Sequence, residues 1–580
     1  MRIVVILSDS IIEIHFPKLN HFWMDAGLFG LYRIAQKEQA KEYGVEITLD
    51  DNGVSFKGSE KNVQLFLQKI YDRLLKDYYN TSSQNQIEKN EGFYYDTTKD
   101  QFIRFPKVKP MGIAGLVKIS GQSYKNQGVV KFEKSIESQK KSQNPILEEK
   151  YSFLQDRFEK FLADTKLKPG TALLLNGKNI VTPSIHIEKL SGKSKGRCFI
   201  CGKESHSLSD IGGTVFPFIT GSSGVLSFNN LGGSAEKVCW KCDYIAKFVP
   251  VAGFYNVNRD TTTHIYFPYS TSLEKMNDVF RSLDLTKIED PYLMKNFDNT
   301  RLGGYFQKSY EQFFTFLYSL YRVVMTKRTS SSASDEDYEL DYEALYNLNL
   351  NKAPLDFFVV YTESLGDAQM GKMIWQFHES IYIFRILDHL EKNKIDLKNV
   401  MTLLVDHEQP KNESKTILRN RVCENILKKQ SVVALVEQHA FRINKSSKTH
   451  NIKPLNDFVI LYEKAIRQGE TGMDQKIIDV AVSVGKTIGM SIAPSGKKGK
   501  GDLFRLRKTR KPEDFLNEIN RIQMKYGTKV NADLYKEGQK MEENFTEFKQ
   551  FCMIAALNMY NAGNPSPVET DGKPKAEASS

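Results

Sequence analysis

Two cysteine pairs constrain this chain most: Cys198 and Cys201 in KGRCFICGKES, and Cys239 and Cys242 in EKVCWKCDYI. A Cys-x-x-Cys turn sets two sulfurs on one side of a tight loop, and two such turns fill the tetrahedral shell that zinc takes. Four of the six cysteines in 580 residues sit at this spacing, and six are too sparse for a disulfide scaffold. Structural zinc is the reading; independent core thiols or a redox pair are the alternatives. With all four positions filled by protein, no site is open to water, which disfavours a catalytic metal. Lys195 and Arg197 precede the first pair, and Lys237, Lys241 and Lys247 surround the second. Their charge favours thiolate and offsets the negative charge of a zinc tetrathiolate. The 37 residues between the pairs exceed the roughly 15–20 of a simple ribbon, so the metal closes the base of something that projects. Its tip carries Ser222, Ser223, Asn229 and Asn230, which suits an ordinary surface loop or one that approaches a nucleic-acid groove.

Around this clip the chain reads as α+β and multidomain, its length and 40% apolar content supporting several cores. Residues 1–145 form an N-terminal α/β domain: strand-like IVVIL, VEITLD and GVSF surround a helix at 62–79, where Val63, Phe66, Leu67, Ile70 and Leu74 recur at helical spacing. The stretches 81–92 and 135–145 are polar loops or linkers. Between them, Arg104, Lys107, Lys109, Lys118 and Lys125 give a basic face. Residues 146–270 are the zinc-binding region, a helix at 146–165 followed by short strands and loops. Residues 271–454 are mixed and mostly helical, with a small-residue, acidic loop at 329–340 and a buried strand in DFFVVYTES. Residues 455–563 form a helical bundle on a stripe of Phe545, Phe548, Cys552, Ala555 and Ala556, and 564–580 are a disordered tail. In the N-terminus MRIVVILSDSIIEIHF an Asp and a Glu interrupt the apolar run and no small-residue cleavage site follows, so it reads as a strand. No window approaches the roughly 18 uncharged apolar residues that cross a bilayer. A cytoplasmic protein with no membrane partner is expected.

The net charge of +11 favours a polyanionic partner, and most of it sits in one place. Between Lys486 and Lys511, nine basic residues face one acid, Asp502. Besides the two ends they are Lys497, Lys498, Lys500, Arg505, Arg507, Lys508 and Arg510. Glycines 496, 499 and 501 make the first half a flexible loop, and Phe504 either stacks on a base or anchors the next helix. Phosphate-backbone contact is the reading, against a solvated loop. Apparent catalytic motifs fail. GKS at 192–194 and GKT at 485–487 lack the glycine that a phosphate loop needs upstream, having Ile187 and Val480 there. Asp388-His389 and Asp406-His407 run in the reverse order to the His-Asp pair of metal-dependent phosphohydrolases, and no Gly-x-Ser-x-Gly or HExxH occurs. The expectation is a binding or scaffolding protein that is not an enzyme.

Three elements resemble one family. WMDAGLFGLYRI (with Asp25, Ala26 and Gly27), the two cysteine pairs around FPFITGSSG, and LRKTRKPEDFLNEINRI before a helical C-terminus resemble the CXXC-CXXC large subunits of type I CRISPR Cascade complexes, the Cas-eight proteins. The resemblance implies a subunit that joins repeated backbone and guide-end-binding proteins on a CRISPR guide RNA. It further implies recognition of the protospacer-adjacent motif in target duplex DNA, help in opening the duplex, a hold on the displaced strand and recruitment of a helicase-nuclease. Base pairing then reads most of the sequence, and protein reads a short duplex motif and backbone shape. Candidate motif readers are polar groups near positive charge: Ser120, Gln122 and Asn126 beside Lys118 and Lys125, or Asn229 and Asn230 in the zinc loop. Such families often carry a helical small subunit. The codons of Gly469-Glu470 can form a ribosome-binding sequence ahead of Met473, which raises a separate product of residues 473–580. Two other classes stay open. One is a zinc-dependent nucleic-acid-processing enzyme using Asp356, Glu363 and Asp367; the other is a stand-alone zinc-ribbon DNA-binding protein.

Overall fold

The computed structural model describes residues 10–79, 92–104, 113, 123–133, 145–167, 169, 172–181, 185, 187, 193–211, 215, 237–258, 262–282, 294–303, 306–329, 356–365, 368–444, 450–467 and 474–564. It is α+β and falls into two compact units, residues 1–298 with 343–378, and residues 299–342 with 379–580. This division is coarser than the five segments drawn from sequence: 1–145 and 146–270 share the first unit, and 271–454 straddles both. The cause is a strand pairing. β13 (Phe254–Val257) and β14 (Thr262–Tyr269) form a sheet with β15 (Asp356–Leu365) and β16 (Ala368–Phe377) in the order β13-β14-β15-β16, which brings 343–378 back to the first unit. Phe357, Val359 and Val360 of β15 are fully buried, as the apolar run in DFFVVYTES foretells. The helix-rich reading of 371–448 holds only from Ser380, because MGKMIWQF is β16, paired along β15.

Two more sheets, of three and five strands, and two short two-stranded ribbons join this one in the first unit. β1 (Ile11–Pro17), β2 (Glu46–Asp50) and β3 (Gly53–Ser59) lie in the order β1-β3-β2, all antiparallel. Ile14 and Phe16 of β1 pair across to Phe56 and Val54 and point inward, while His15 bonds Ser55 on the other face. That alternation is the period-two signature of a half-buried strand. The helices α1 (Phe22–Lys37) and α2 (Glu60–Leu74) follow, the second capped by the Ser59 hydroxyl. Every apolar position predicted for α2 is buried, and one π-type turn, Leu75–Tyr79, extends it. The third sheet runs β5 (Gln101–Arg104), β4 (Phe93–Asp96), β8 (Ala172–Val181), β6 (Ser123–Glu133) and β7 (Ile146–Leu147). Helix α3 (Gln155–Thr165) packs Phe158 and Leu162 against its Val130, Leu173 and Leu175. The helix predicted over 146–165 thus begins only at 155, after a short strand and a 3-10 turn.

Helix α6 (Leu273–Ser282) follows β14 in the first unit. The second unit is helical. It contains α7 (Ser309–Thr329), α8 (Ser380–Lys392), α9 (Leu397–Leu403), α10 (Asn412–Lys415), α11 (Ile417–Leu427), α12 (Val433–Ile443) and α13 (Lys453–Ile466). These are followed by α14 (Gln475–Ile492), α15 (Gly496–Arg507), α16 (Pro512–Tyr526), α17 (Asp533–Lys536), α18 (Gly538–Glu543) and α19 (Phe545–Gly563). The long pair α14 and α19 forms its centre. Gly485 and Gly489 of α14 lie where a Cβ would be 2.1 Å from the Cys552 carbonyl oxygen and 2.3 Å from that of Ala556. GKT at 485–487 is therefore mid-helix, and its glycine serves helix contact. Phe548, Cys552, Ala555 and Ala556 of the predicted stripe are fully buried; Phe545 is half-buried against Phe515. Among the described residues one helical stretch, Gln475–Arg507, is long and apolar enough by length and composition to cross a bilayer, although Lys476, Asp479 and Lys486 interrupt its apolar run. Of its apolar window 61% is buried, the behaviour of a core helix.

Candidate metal centre and basic segment

The first cysteine pair sits in a tight hairpin. β9 (Gly196–Arg197) pairs with β10 (Glu204–Ser205), so the chain must reverse over Cys198–Lys203. The Cys198 amide donates to the Lys203 carbonyl at 2.8 Å and the Gly202 amide to the Cys198 carbonyl at 2.8 Å. Gly202 takes φ +67°, a left-handed conformation in which glycine carries no steric cost. The second pair straddles a helix start. β11 (Leu208–Asp210) pairs with β12 (Lys237–Cys239), Cys239 is the N-cap of α4 (Trp240–Ala246), and Cys242 lies in its first turns. The Phe199 amide donates to the Lys237 carbonyl at 2.9 Å and joins the two turns.

The four Sγ atoms lie within 4.8 Å of one another, and Cys201 and Cys239 are 3.8 Å apart. A tetrahedron with Zn–S bonds of 2.3 Å has edges of about 3.8 Å, whereas a disulfide needs about 2.05 Å. All four are free thiols. Among the described residues this is the one group of three or more His, Cys, Asp or Glu side chains placed to hold a metal ion. Mutual hydrogen bonds drive the thiol acidities apart. Cys198 is pushed down by Cys201, Cys239 and Cys242. Cys201 is lowered to about 7, raised by Cys198 and lowered more by Cys239 and Cys242, while Cys239 and Cys242 are pushed up, by Cys198 first. A divalent cation at this point favours the thiolate at all four positions.

The predicted basic surroundings are partly real. Lys241 donates to the His15 carbonyl at 2.9 Å, and burial, with Lys203 nearby, lowers its pKa. Lys195, Arg197, Lys203 and Lys237 are exposed. Lys247 is not an open charge: it is buried and paired with Asp243 at 2.5 Å. Behind the centre, α4 and α5 (Val249–Ala252) pack on α1. A Cβ at Gly27 would lie 2.4 Å from the Ile245 carbonyl oxygen, and one at Gly30 would lie 2.2 Å from that of Phe248. Asp25, the third residue of the same motif, is fully buried and accepts the Leu19 amide at 2.9 Å. The contact of α1 with α4 and α5, between segments some two hundred residues apart, has no local signature and escaped the sequence reading.

Lys118, Gln122, Ser120, Asn229 and Asn230 lie outside the described residues. Lys125 and Asn126 are on strand β6, in register with Asn179 and Lys178 of β8 beside an irregularity at Asn126/Gly128, and not on a loop. In the C-terminal segment the loop predicted at 496–501 is instead the first turns of α15. Tertiary packing overrides the poor helix propensity of three glycines. Leu503 and Leu506 are fully buried, and Gly499 abuts the Ile492 carbonyl, 2.1 Å from where its Cβ would stand. Asp502 takes Arg521, Lys525 and Tyr526 from α16 at 2.5–2.6 Å; these bonds outweigh burial and hold its carboxyl at about 2.

The nine basic residues therefore divide. Arg507 is an internal group: it makes a two-point ion pair to Glu437 at 2.6 and 2.9 Å and lies over the Phe441 ring. Phe504 meets the same ring edge-on at 5.4 Å, which makes it an anchor. Arg505 is exposed but reaches Glu518 at 3.2 Å, and Lys500 is half-buried. Lys486, Lys497, Lys498, Lys508, Arg510 and Lys511 are exposed. The carboxylates of the enzyme alternative do not converge. Asp356 pairs with His378 at 2.8 Å, while Glu363, paired with Lys372 at 3.1 Å, lies seven residues further along the same strand, or about 23 Å. Asp367 is outside the described residues. No family model matches the chain, and no curated protein matches it.

Proposed function

We propose that the protein is the large subunit of a type I CRISPR Cascade complex, a non-catalytic nucleic-acid-binding scaffold whose four-cysteine centre holds structural zinc. The observation that carries this reading is that the first resembling element packs on the segment that opens at the second cysteine pair. WMDAGLFGLYRI is α1, and its Gly27 and Gly30 seat the backbone of the segment that begins at Cys239. The third element, LRKTRKPEDFLNEINRI, spans the end of α15 and most of α16 in the helical unit. In this role the chain holds the guide RNA complex and target duplex, recognises the protospacer-adjacent motif, supports duplex opening and recruits the helicase-nuclease. The exposed Lys486, Lys497, Lys498, Lys508, Arg510 and Lys511 contact phosphates of the displaced strand, with Arg505 as a secondary contact. The separate product from Met473 belongs to the same proposal. It would begin one residue before Asp474, whose carboxylate caps α14, and would contain α14–α19.

Affinity purification of the intact chain, co-expressed with the genes beside it and a CRISPR array, tests the reading. The expected result is a multi-protein particle with a short RNA of uniform length that binds duplex DNA only when guide and target match. Specific duplex binding by the chain alone would favour a zinc-ribbon DNA-binding protein. Cleavage of labelled DNA by the chain with magnesium or manganese would favour the enzyme. A particle without RNA would overturn the proposal.

A further inference from the structure

We propose that the four-thiol centre is an oxidant-addressable clip in which peroxide joins Cys201 to Cys239, replacing the metal cross-link with a covalent one. The inference rests on the cysteine centre and not on the nucleic-acid reading. A cavity of 690 Å³ opens beside β1 and is lined by Cys201, Cys239 and Cys242, together with Lys203 and Lys241. Cys198 is not among its walls and is 1% exposed, while Cys201 is partly exposed. A small polar oxidant therefore reaches three thiols and meets Cys201 first.

The chemistry balances with hydrogen peroxide as the two-electron oxidant. The Cys201 thiolate attacks one peroxide oxygen: an S–O bond forms, the O–O bond breaks, and the departing hydroxide takes a proton and leaves as water. The Cys239 thiolate then displaces the second oxygen from the sulfenic acid: the S–S bond forms, the S–O bond breaks, and with one more proton a second water leaves. Two thiolates, one peroxide and two protons become one disulfide and two waters. The sulfurs start 3.8 Å apart, so they must close by roughly 2 Å to reach bonding distance.

The choice of pair gives the device its character. A Cys198–Cys201 disulfide would leave the β9–β10 hairpin unconnected to α4. A Cys201–Cys239 disulfide ties the same two elements that the metal ties, and leaves only Cys198 and Cys242 as ligands, too few to hold a tetrahedral ion. Metal leaves while the clip stays shut.

The experiment titrates the zinc-loaded full chain with hydrogen peroxide, reads released zinc with a chromogenic chelator, and maps disulfides by mass spectrometry. The expected result is a Cys201–Cys239 linked peptide that rises in step with zinc release, while the fully buried Cys423 and Cys552 stay reduced. After peroxide removal and chelation, the oxidised protein should melt above the reduced, metal-free protein. C201S that still binds zinc should release it at least tenfold more slowly at equal peroxide; should that variant not fold, the wild-type melting comparison decides. Disulfides within each pair, release without any disulfide, or an oxidised form that melts no higher than the reduced metal-free one would overturn the proposal.

Discussion

The two units solve one packing problem with different means. In each, a pair of glycines lets a helix approach a neighbouring backbone closely: Gly27 and Gly30 of α1 against the Ile245 and Phe248 carbonyls, Gly485 and Gly489 of α14 against those of Cys552 and Ala556. In the helical unit both partners are long, 18 and 19 residues, and each brings a continuous apolar face. In the first unit the partner of α1 is a broken pair of 7 and 4 residues. Helices shorter than about 12 residues are marginal alone, so this segment needs outside help to keep its position. A metal held by the four cysteines would supply it at the right place, because Cys239 occupies the N-cap position of α4 and Cys242 lies in its first turn. With a metal bound, the clip would serve the fold of the first unit by fixing the start of a helix too short to fix itself.

The largest expected effect breaks the comparison at that point. Replacing Cys239 and Cys242 together by Ser removes a ligand set that in zinc-finger peptides contributes on the order of 10 kcal/mol. Calorimetry should show the transition of the first unit lost or lowered by tens of degrees, and hydrogen exchange should speed up in α1 and α4 while α14 and α19 keep their protection. Equal loss of protection in both units would refute the division of labour.

Second in size is a test confined to the helical unit. Arg507→Ala leaves Glu437, 6% exposed, without its partner. Removing one side of such a pair costs about 3 kcal/mol, and the loss should appear only in the second transition. Lys508→Ala, Arg510→Ala and Lys511→Ala combined should leave that transition within about 0.5 kcal/mol. The triple variant should instead flatten the salt dependence of nucleic-acid binding by up to two or three phosphate contacts' worth. If Arg507→Ala weakens binding without loss of stability, its internal assignment is wrong.

The glycine seams give a smaller and more direct comparison. Gly485→Ala puts a methyl carbon 2.1 Å from the Cys552 carbonyl oxygen, and a backbone atom has little freedom to yield. Overpacking of this kind costs about 1–3 kcal/mol. Gly27→Ala makes the matching clash with the Ile245 carbonyl. Its effect should grow when zinc is chelated, whereas that of Gly485→Ala should not change. Equal zinc sensitivity of the two would dissolve the distinction between the units.

What the sequence disclosed follows from whether the signal is local. Ligand spacing is local, and the four cysteines come together as Cys-x-x-Cys implies. Helical periodicity is local too, so α2 and the α19 stripe were legible from Val63 to Leu74 and from Phe548 to Ala556. The turns at Gly496–Gly501 were not, because their helix is imposed from outside by Ile492 and by the grip of Arg521, Lys525 and Tyr526 on Asp502. Arg507 misled for the same reason: a charge run gives no hint that one member faces a carboxylate seventy residues earlier. The fit of Gly27 to Ile245 is likewise a long-range fact, visible only once α1 and α4 are folded together.

The smallest expected effect is a pH response seated in the helical unit. His439 is 2% exposed; its Nδ1 lies 3.0 Å from the Arg442 guanidinium and its Nε2 2.8 Å from the Leu403 carbonyl. A guanidinium can only donate, so Nδ1 accepts, Nε2 carries the proton, and the ring is neutral. Burial lowers its pKa first, with Arg442 acting in the same direction and the Leu403 carbonyl, Asp406 and Glu408 opposing. With the folded value below the ordinary 6.5, the unfolded chain binds the proton first as pH falls. Stability is therefore unaffected well above pH 6.5 and declines below it, by no more than about 1.4 kcal/mol per pH unit for one proton, until the folded ring also protonates. Chemical unfolding of the second unit at pH 7.5 and 5.5 measures this. In His439→Gln, which cannot titrate, the histidine's share of the decline should vanish; a wild-type decline that survives unchanged in that variant would move the response to another group. The first unit, whose pH response should follow thiol protonation and metal loss, should not respond to the substitution at all.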